Sequence, residues 1–172
     1  METILMEKHM PEKDRAAKAA ASWRRERPDL DVEAMEIIGR LNELSALITR
    51  DHLQPGFDRF GLQGGEFDVL ATLRRAGAPY RLTPTALYEA TMLSSGGMTA
   101  RLDRLQARDL IRREPNPDDR RGTLVGLTDA GLALIDRAIG PHAENETRLL
   151  SALTGDERAQ LNGLLARLRA VL

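Results

Sequence analysis

Residues 82–105 read LTPTALYEATMLSSGGMTARLDRL, and this stretch contains the start signals of two short helices. Thr83 can cap the first helix through its hydroxyl group. Pro84 then occupies the first turn, where a proline is tolerated because its missing N–H would have no partner in the helix. The sequence predicts that this helix runs from Pro84 to about Ala90.

A second helix is predicted directly afterwards, beginning at a Ser94 or Ser95 cap. Its apolar residues recur at helical spacing at Met98, Leu102 and Leu105, and its polar and basic residues point outward. A turn of only about three or four residues joins the two helices. Two short helices connected so tightly are typical of a helix-turn-helix.

Residues 110–127 read LIRREPNPDDRRGTLVGL and predict a β-hairpin. Leu110–Arg113 forms the first predicted strand and Thr123–Leu127 the returning one. The intervening EPNPDDRRG is rich in turn residues, so we expect a long, charged loop between the strands. A hairpin that directly follows a helix-turn-helix is a wing.

Longer helices are predicted on both sides of this segment. Pro28 ends the first of them, Asp31 can cap the second, and Thr154 with Glu157 forms a capping box for the last. The predicted spans are Pro11–Arg27, Asp31 to about Leu53 with Pro55-Gly56 closing it, Leu62–Arg75, a helix capped by Thr128 running to about Leu150, and Gly155–Leu172. In the second span, an apolar stripe contains Met35, Ile38, Leu41, Leu44 and Ile48.

These elements predict a mainly α-helical fold with a small β-hairpin wing. We expect a flexible tail over residues 1–10, N-terminal helices over 11–60, a winged helix-turn-helix DNA-binding domain over 61–127 and C-terminal dimerisation helices over 128–172. The terminal helices would be hard to bury within one chain. A two-fold homodimer would bury them and would match palindromic double-stranded DNA.

The charge is distributed unevenly along the chain. The net charge of −1 alone disfavours a nucleic-acid binder. However, ten arginines and six acidic residues lie between Arg74 and Arg121, so this segment carries +4 and the remainder −5. A basic centre between acidic flanks favours a DNA-binding core inside a dimerising frame, with chance clustering as the alternative.

Several functional classes are disfavoured by what the sequence lacks. It has no cysteine, so it has neither a disulfide framework nor a thiolate metal site. No apolar run approaches the roughly 20 residues of a membrane span, and the N-terminus is too charged for a secretory signal, so we expect a cytoplasmic protein. His9, His52 and His142 are scattered, and no phosphate-binding loop or nucleophile motif occurs. We therefore expect no enzyme activity, catalytic residue, metal or cofactor.

Three segments together resemble the MarR family of bacterial regulators: GEFDVLATLRRAG, LTPTALYEATMLSSGGMTARLDRL and DDRRGTLVGLTDAG. The resemblance covers about residues 31–172. Within the family, RPDLD, SSGGMT and an extra N-terminal helix with Trp23 are similar to the PecS and HucR branch. The resemblance implies a repressor that is released from its operator by small aromatic or purine ligands such as urate.

The second helix of the helix-turn-helix is the expected recognition helix, and the wing carries the family's Asp-x-Arg motif. The resemblance implies that Asp119 orients Arg121, which enters the minor groove, where negative potential is concentrated. Plain helix capping by Ser94 and a solvated wing turn are the alternatives. The candidate DNA-binding residues are Ser94, Ser95, Thr99 and Arg104 on the helix and Arg112, Arg113, Asp119, Arg120 and Arg121 on the wing.

The resemblance also implies a ligand pocket formed by Trp23, Asp68 and Arg101. Arginine can pair with an anionic purine through two parallel hydrogen bonds, and tryptophan can form an apolar wall. The alternatives are a packing role for Trp23, a structural Asp68–Arg101 ion pair, and an Arg101 that faces phosphate. Ala76 stands where some relatives have a further polar contact, so a phenolic or salicylate-like acid is the alternative effector to urate. A ligand-independent DNA-binding or protein-interaction module is the alternative function.

Overall fold

The structure is a computed structural model that describes residues 14–91 and 97–171. The chain forms two compact units, one ending at His52 and the other beginning at Leu53. The first contains α1 (Arg15–Glu26), α2 (Val32–Leu47) and all but the last residue of a π-helical segment (Ile48–Leu53). The second contains α3 (Gln54–Asp58), α4 (Gly64–Arg75), β1 (Arg81–Leu82), α5 (Pro84–Ala90), α6 (Met98–Ala107), β2 (Ile111–Asn116), β3 (Asp119–Leu127), α7 (Asp129–Leu149) and α8 (Gly155–Arg169).

In the first unit, α1 packs against α2 through small side chains. Ala16, Ala17 and Ala20 are buried on α1. A Cβ atom on Gly39 of α2 would lie 3.2 Å from the Ala16 Cβ, which shows how closely the two helices approach. The Asp14 side chain caps α1 by accepting a hydrogen bond from the Ala17 N–H. The alanine-rich sequence of α1 therefore favours helix formation and also allows α1 and α2 to pack closely.

The end of α2 differs from the sequence prediction. The predicted Asp31 cap is confirmed, since its carboxylate accepts a hydrogen bond from the Ala34 N–H. The α-helical hydrogen bonding ends at Leu47, and the backbone then widens to a π-helix. Pro55 and Gly56 lie inside α3, so the prediction that they close the helix was wrong. Pro55 stands in the first turn of α3, where its missing N–H is tolerated.

The second unit is built around α4. The predicted inward positions Phe67, Leu70 and Leu73 are buried, as is Val69. The surrounding elements each bury apolar side chains in the same cluster, which includes Leu87, Leu102, Leu105, Ile111, Val125 and Ile135. Burying a side chain of this size contributes about 1.5–3 kcal/mol, so this cluster dominates the stability of the unit.

Three predicted threonine caps are confirmed in the second unit. Thr83, Thr128 and Thr154 accept hydrogen bonds from backbone N–H groups at the starts of α5, α7 and α8. Thr154 and Glu157 also form the predicted capping box. These helices begin where the sequence indicated, because a cap is decided by one or two local side chains.

The recognition-helix candidate α6 begins later than predicted. Its first residue is Met98, and Gly97 occupies the N-cap position with a positive φ of 86°. Glycine adopts this backbone conformation without the Cβ strain of other residues. The predicted caps Ser94 and Ser95 lie outside the described residues. The predicted apolar stripe is confirmed at Leu102 and Leu105, which are buried, while Met98 is partly buried.

The β-hairpin is longer and its turn is shorter than predicted. The sheet is antiparallel with strand order β1-β3-β2. Pairing extends from Ile111↔Leu127 to Asn116↔Asp119, with an irregularity after Pro115. The predicted long loop was wrong because its residues continue the strand pairing. The two-residue strand β1 was missed, since it is too short for alternation to be visible.

The helices α2 and α8 each expose several apolar side chains in the single chain. The predicted stripe on α2 leaves Met35, Ile38 and Leu44 between 43% and 53% exposed. α8 has no buried residue, and its leucines are also exposed, namely Leu161, Leu164, Leu165 and Leu168. None of the helices in the described ranges combines the length and apolarity needed to span a membrane.

The contact between α7 and the Leu110 carbonyl provides a test of the packing in the second unit. A Cβ atom at Gly131 would overlap the Leu110 carbonyl oxygen, whereas one at Gly140 on the same helix would meet nothing within 4 Å. We expect Gly131→Ala to lower the free energy of unfolding by about 3 kcal/mol. Gly140→Ala should raise it by up to about 1 kcal/mol through helix propensity. Urea unfolding at one protein concentration measures both, and equal effects would contradict this packing.

Candidate nucleic-acid interface

The helix α6 presents its polar side toward solvent while Leu102 and Leu105 bury its other side. Thr99, predicted to contact DNA, is exposed one residue after the start of α6. Its hydroxyl is therefore available to a phosphate or a base edge. The contact itself stays a prediction.

Arg104, another predicted contact, is engaged within the protein. Its Nε donates to Glu66 Oε1 over 2.8 Å, and its Nη2 donates to Gln63 Oε1 over 3.3 Å. Arg108, one turn further along α6, reaches Glu66 Oε2 over 3.5 Å. Glu66 is only 3% exposed. A carboxylate so far from water requires charged or hydrogen-bonding partners, and these arginines provide them.

Arg113 of β2 joins the wing to the opposite flank of α6. Its Nη1 donates to Gln106 Oε1 over 2.6 Å, and its Nη2 donates to Asp103 Oδ1 over 2.8 Å. Gln106 and Asp103 are three residues apart and so lie on one side of the helix. The planar fork of Arg113 contacts both of them. This predicted phosphate contact therefore faces α6 in the free protein.

The base of the wing is a second ion-pair cluster centred on Glu114. Arg81 Nη1 donates to Glu114 Oε1 over 2.5 Å, and Arg112 Nε donates to Glu114 Oε2 over 3.2 Å. The hydrogen bond from Arg81 lowers the pKa of the Glu114 carboxyl below its ordinary value. The carboxylate consequently stays charged at neutral pH. It offsets part of the positive charge of Arg112, which was predicted to reach a phosphate.

At the tip of the wing, the described side chain that is available to a ligand is that of Arg121. Asp119 Oδ1 accepts a hydrogen bond from the Arg121 backbone N–H over 3.0 Å, which fixes the turn rather than the guanidinium. The Arg121 side chain is exposed and forms no ion pair within the described part of the chain. Arg120 lies between them on β3, and only its backbone is described.

Arg101 of α6 lies tightly against glycines. A Cβ atom at Gly65 would overlap the Arg101 Nε, and one at Gly97 would lie 3.7 Å from its Cζ. The Arg101 Nη1 is buried, and it has no hydrogen-bond partner among the described residues. A buried guanidinium N–H without a partner can donate a hydrogen bond to an oxygen of an anionic ligand.

The other two predicted ligand residues lie on α1 and α4. Asp68 is on α4, three residues after Gly65, and is partly buried. Trp23 is on α1 in the first unit and is 43% exposed there. Asp68 and Arg101 thus belong to two helices of the second unit that pack against each other. The ligand role of all three residues stays a prediction.

His142 of α7 has a structural environment. Its ring centroid lies 4.5 Å from that of Phe67 and 5.6 Å from that of Phe57. Its Nε2 is 3.3 Å from Glu146 Oε1. No cluster of three or more metal-ligating side chains occurs in residues 14–91 and 97–171. His142 therefore has a packing environment rather than that of a metal ligand within these ranges.

The comparisons with known proteins agree with this arrangement. The MarR family model matches residues 60–122, which extend from Phe60, just after α3, to Gly122 on β3. The chain is 47% identical over 145 residues to the HTH-type transcriptional regulator PecS of Dickeya dadantii (strain 3937), covering 84% of this chain and 87% of that protein. The chain belongs to the MarR family. It is accordingly a DNA-binding transcriptional regulator with a winged-helix fold.

Solved structures of MarR-family proteins support the same fold. A mutant of MarR from Escherichia coli in complex with operator DNA superposes with a TM-score of 0.68 at 28% identity, covering 85% of this chain and 96% of that one. Bordetella bronchiseptica BpsR, whose DNA binding is regulated by 6-hydroxynicotinic acid, superposes with a TM-score of 0.68 at 25% identity, covering 77% and 92%. The helix-turn-helix and wing predicted from the sequence are therefore those of a MarR-family regulator.

The sequence interpretation missed the residues that hold α6 of this MarR-family chain in place. Gln63 and Glu66 form a capping box at the start of α4, in addition to binding arginines of α6. The spacing of three residues between Gln63 and Glu66 was a visible signal for the cap. The partners on α6 were not visible, since they lie about 40 residues away and depend on tertiary packing.

The role of Asp119 at the wing tip can be tested by two substitutions. Asp119→Asn keeps an oxygen that accepts the Arg121 N–H, so we expect operator affinity to change by less than about threefold. Asp119→Ala removes the acceptor, and the loss of about 1 kcal/mol of turn stability should weaken binding about fivefold. Fluorescence anisotropy with operator DNA measures both. Equal losses in the two variants would instead indicate that the negative charge of Asp119 is what matters.

Proposed function

We propose that this MarR-family chain is a homodimeric repressor that binds a palindromic operator through α6 and the wing, and that a small planar anion releases it. The observation that carries the DNA-binding part is the wing tip. Arg121 is exposed and unpaired within the described residues, whereas Arg104, Arg112 and Arg113 each bind protein groups. A guanidinium is weakly hydrated, which suits insertion into a narrow minor groove.

Dimerisation is supported by the exposed apolar faces. The four exposed leucines of α8 recur at helical spacing, and α2 exposes a further apolar stripe. Exposed patches of this kind mark protein interaction sites. A second copy of the chain would cover them with the same residues, as a two-fold interface requires. Two α6 helices would then meet successive major grooves of a palindrome.

The ligand part of the proposal rests on Arg101. Its Nη1 is buried without a partner in the described residues, and it belongs to the helix that we propose meets DNA. A planar anion bound there would act directly on the position of α6, which links ligand and DNA binding through one element. The relative BpsR responds to an aromatic acid. Urate and phenolic acids of the salicylate type are the two effector classes to compare.

The DNA-binding proposal predicts a large effect of Arg121→Ala. We expect this variant to bind the DNA upstream of its own gene at least about tenfold more weakly, since a good groove contact contributes roughly 1–3 kcal/mol. Arg137→Ala, which removes an exposed arginine from α7, should bind as the wild-type chain does. Gel shifts with excess competitor DNA measure these affinities, and circular dichroism verifies the fold. Unchanged binding by Arg121→Ala would contradict the proposed role of the wing.

The ligand proposal predicts a selective loss of response in Arg101→Ala. We expect the urate or salicylate concentration that releases half of the DNA to rise at least about tenfold, relative to each variant's own ligand-free affinity, because two charge-assisted hydrogen bonds are lost. Arg101→Lys should have an intermediate response, and Arg137→Ala a normal one. Gel shifts over a series of ligand concentrations measure this response. Operator binding that neither compound affects would favour a ligand-independent regulator.

A further inference from the structure

We propose that Glu66 is a positioning residue that sets the DNA specificity of the chain by holding Arg104 and Arg108 of α6 away from the phosphates. The proposal rests on the proposed use of α6 on DNA. It assigns Arg104 to α4 rather than to the operator. The carboxylate of Glu66 is the group on which the polar contacts between α4 and α6 converge.

The geometry places a buried anion between two cations. Glu66 is 3% exposed, and its two oxygens accept from Arg104 Nε over 2.8 Å and Arg108 Nη1 over 3.5 Å. The second oxygen also accepts from the Gln63 backbone N–H over 3.1 Å. Gln63 binds Arg104 Nη2 in addition. The Glu66 carboxylate is therefore bound by the backbone at the start of α4 and, at the same time, binds two side chains of α6.

Directional contacts between α4 and α6 are needed to fix the rotation of α6, because apolar packing alone is not directional. Leu102 and Leu105 keep α6 on the core, but side chains of this shape tolerate small rotations and shifts. Arg104 and Arg108 are four residues apart, so they lie on one side of α6. Both reach the same carboxylate. A rotation of α6 would break both ion pairs and leave a buried charge uncompensated, which is strongly unfavourable.

The same ion pairs control how much positive charge α6 offers to DNA. The side chains of Arg104 and Arg108 remain 45% and 39% exposed, so they are close enough to solvent to bind phosphates if released. Phosphate contacts of this kind strengthen binding to every sequence and carry no base information. Glu66 thus favours operator over random DNA in two ways, by fixing α6 and by occupying its arginines.

A purely structural role for Glu66 makes a different prediction. Glu66 is the N3 residue of a capping box, and its loss would then lower stability without changing the preference for operator. Glu157 is the matched control, since it is the N3 residue of the capping box of α8 and has no arginine partner among the described residues. Glutamine also fits the N3 position of a capping box, so Glu→Gln preserves both caps.

The experiment compares Glu66→Gln, Glu157→Gln and the wild-type chain on operator and random duplexes over a salt series. We expect the ratio of operator to random affinity to fall about tenfold in Glu66→Gln alone. The salt slope on random DNA should become steeper by about 0.9 for each released arginine. A ratio and a slope equal to those of the wild-type chain would overturn the proposal.

A second variant keeps the test decisive if Glu66→Gln does not fold. Arg108→Gln leaves the Glu66–Arg104 pair intact, and the proposal predicts an unchanged salt slope, because Arg108 does not contact phosphate. A salt slope that is shallower by about 0.9 would show that Arg108 does contact phosphate and would overturn the proposal. If the wild-type chain showed no preference for operator, that result would contradict the proposed function. The salt slopes on random DNA would still test separately whether Glu66 restrains Arg104 and Arg108.

Discussion

The burial of α4 is the constraint on which the rest of the second unit depends. Val69, Leu70 and Leu73 are completely buried, and α5, α6, the sheet and α7 each pack side chains into the same cluster. A cluster of this size determines which side of each helix faces inward. It thereby determines which residues of α6 and the wing remain outside. The close approach of Gly131 to the Leu110 carbonyl shows how tightly this arrangement is fitted.

Apolar burial determines which side of each helix faces inward, and ion pairs then determine the rotation and position of α6 and of the wing. α6 is held by Glu66 on one flank and by Arg113 on the other. The wing is held at its base by Glu114, which binds arginines from β1 and β2. These contacts are directional, so they specify rotations that leucine packing leaves open. The helix and the wing consequently form one preformed surface, which is the surface that the proposed function places on DNA.

The predictable parts of the fold are those that local side chains decide. Thr83, Thr128 and Thr154 predicted three helix starts correctly, because a cap involves neighbours in sequence. The hairpin turn was misjudged because residues typical of turns, such as Pro115, also extend an exposed strand where the partner backbone is available. The π-helical backbone after Leu47 has no local residue signal of comparable clarity.

The site shows the same division. The sequence predicted the helix α6 and the hairpin of the wing, and it assigned Arg104 and Arg113 to DNA, a role that stays a prediction. Their carboxylate and amide partners on α4 and α6 became visible only with the tertiary structure. Glu66 was missed for the same reason, although its spacing from Gln63 was visible. An arginine in a basic segment is thus a weak guide to DNA contact until its protein partners are known.

The paired arginines also limit how strongly this chain, with its net charge of −1, is attracted to DNA of any sequence. If every arginine between Arg74 and Arg121 were free, phosphate attraction would favour all DNA sequences alike. Carboxylates on α4, α6, β2 and α7 instead form ion pairs with six of these arginines in the described ranges, namely Arg74, Arg81, Arg104, Arg108, Arg112 and Arg113. In the proposed function, the positive charge that remains for DNA is small and local, and the described arginine that carries it at the wing tip is Arg121. Affinity must come from shape and a few placed contacts, which is the condition under which a regulator discriminates its operator from the rest of the genome.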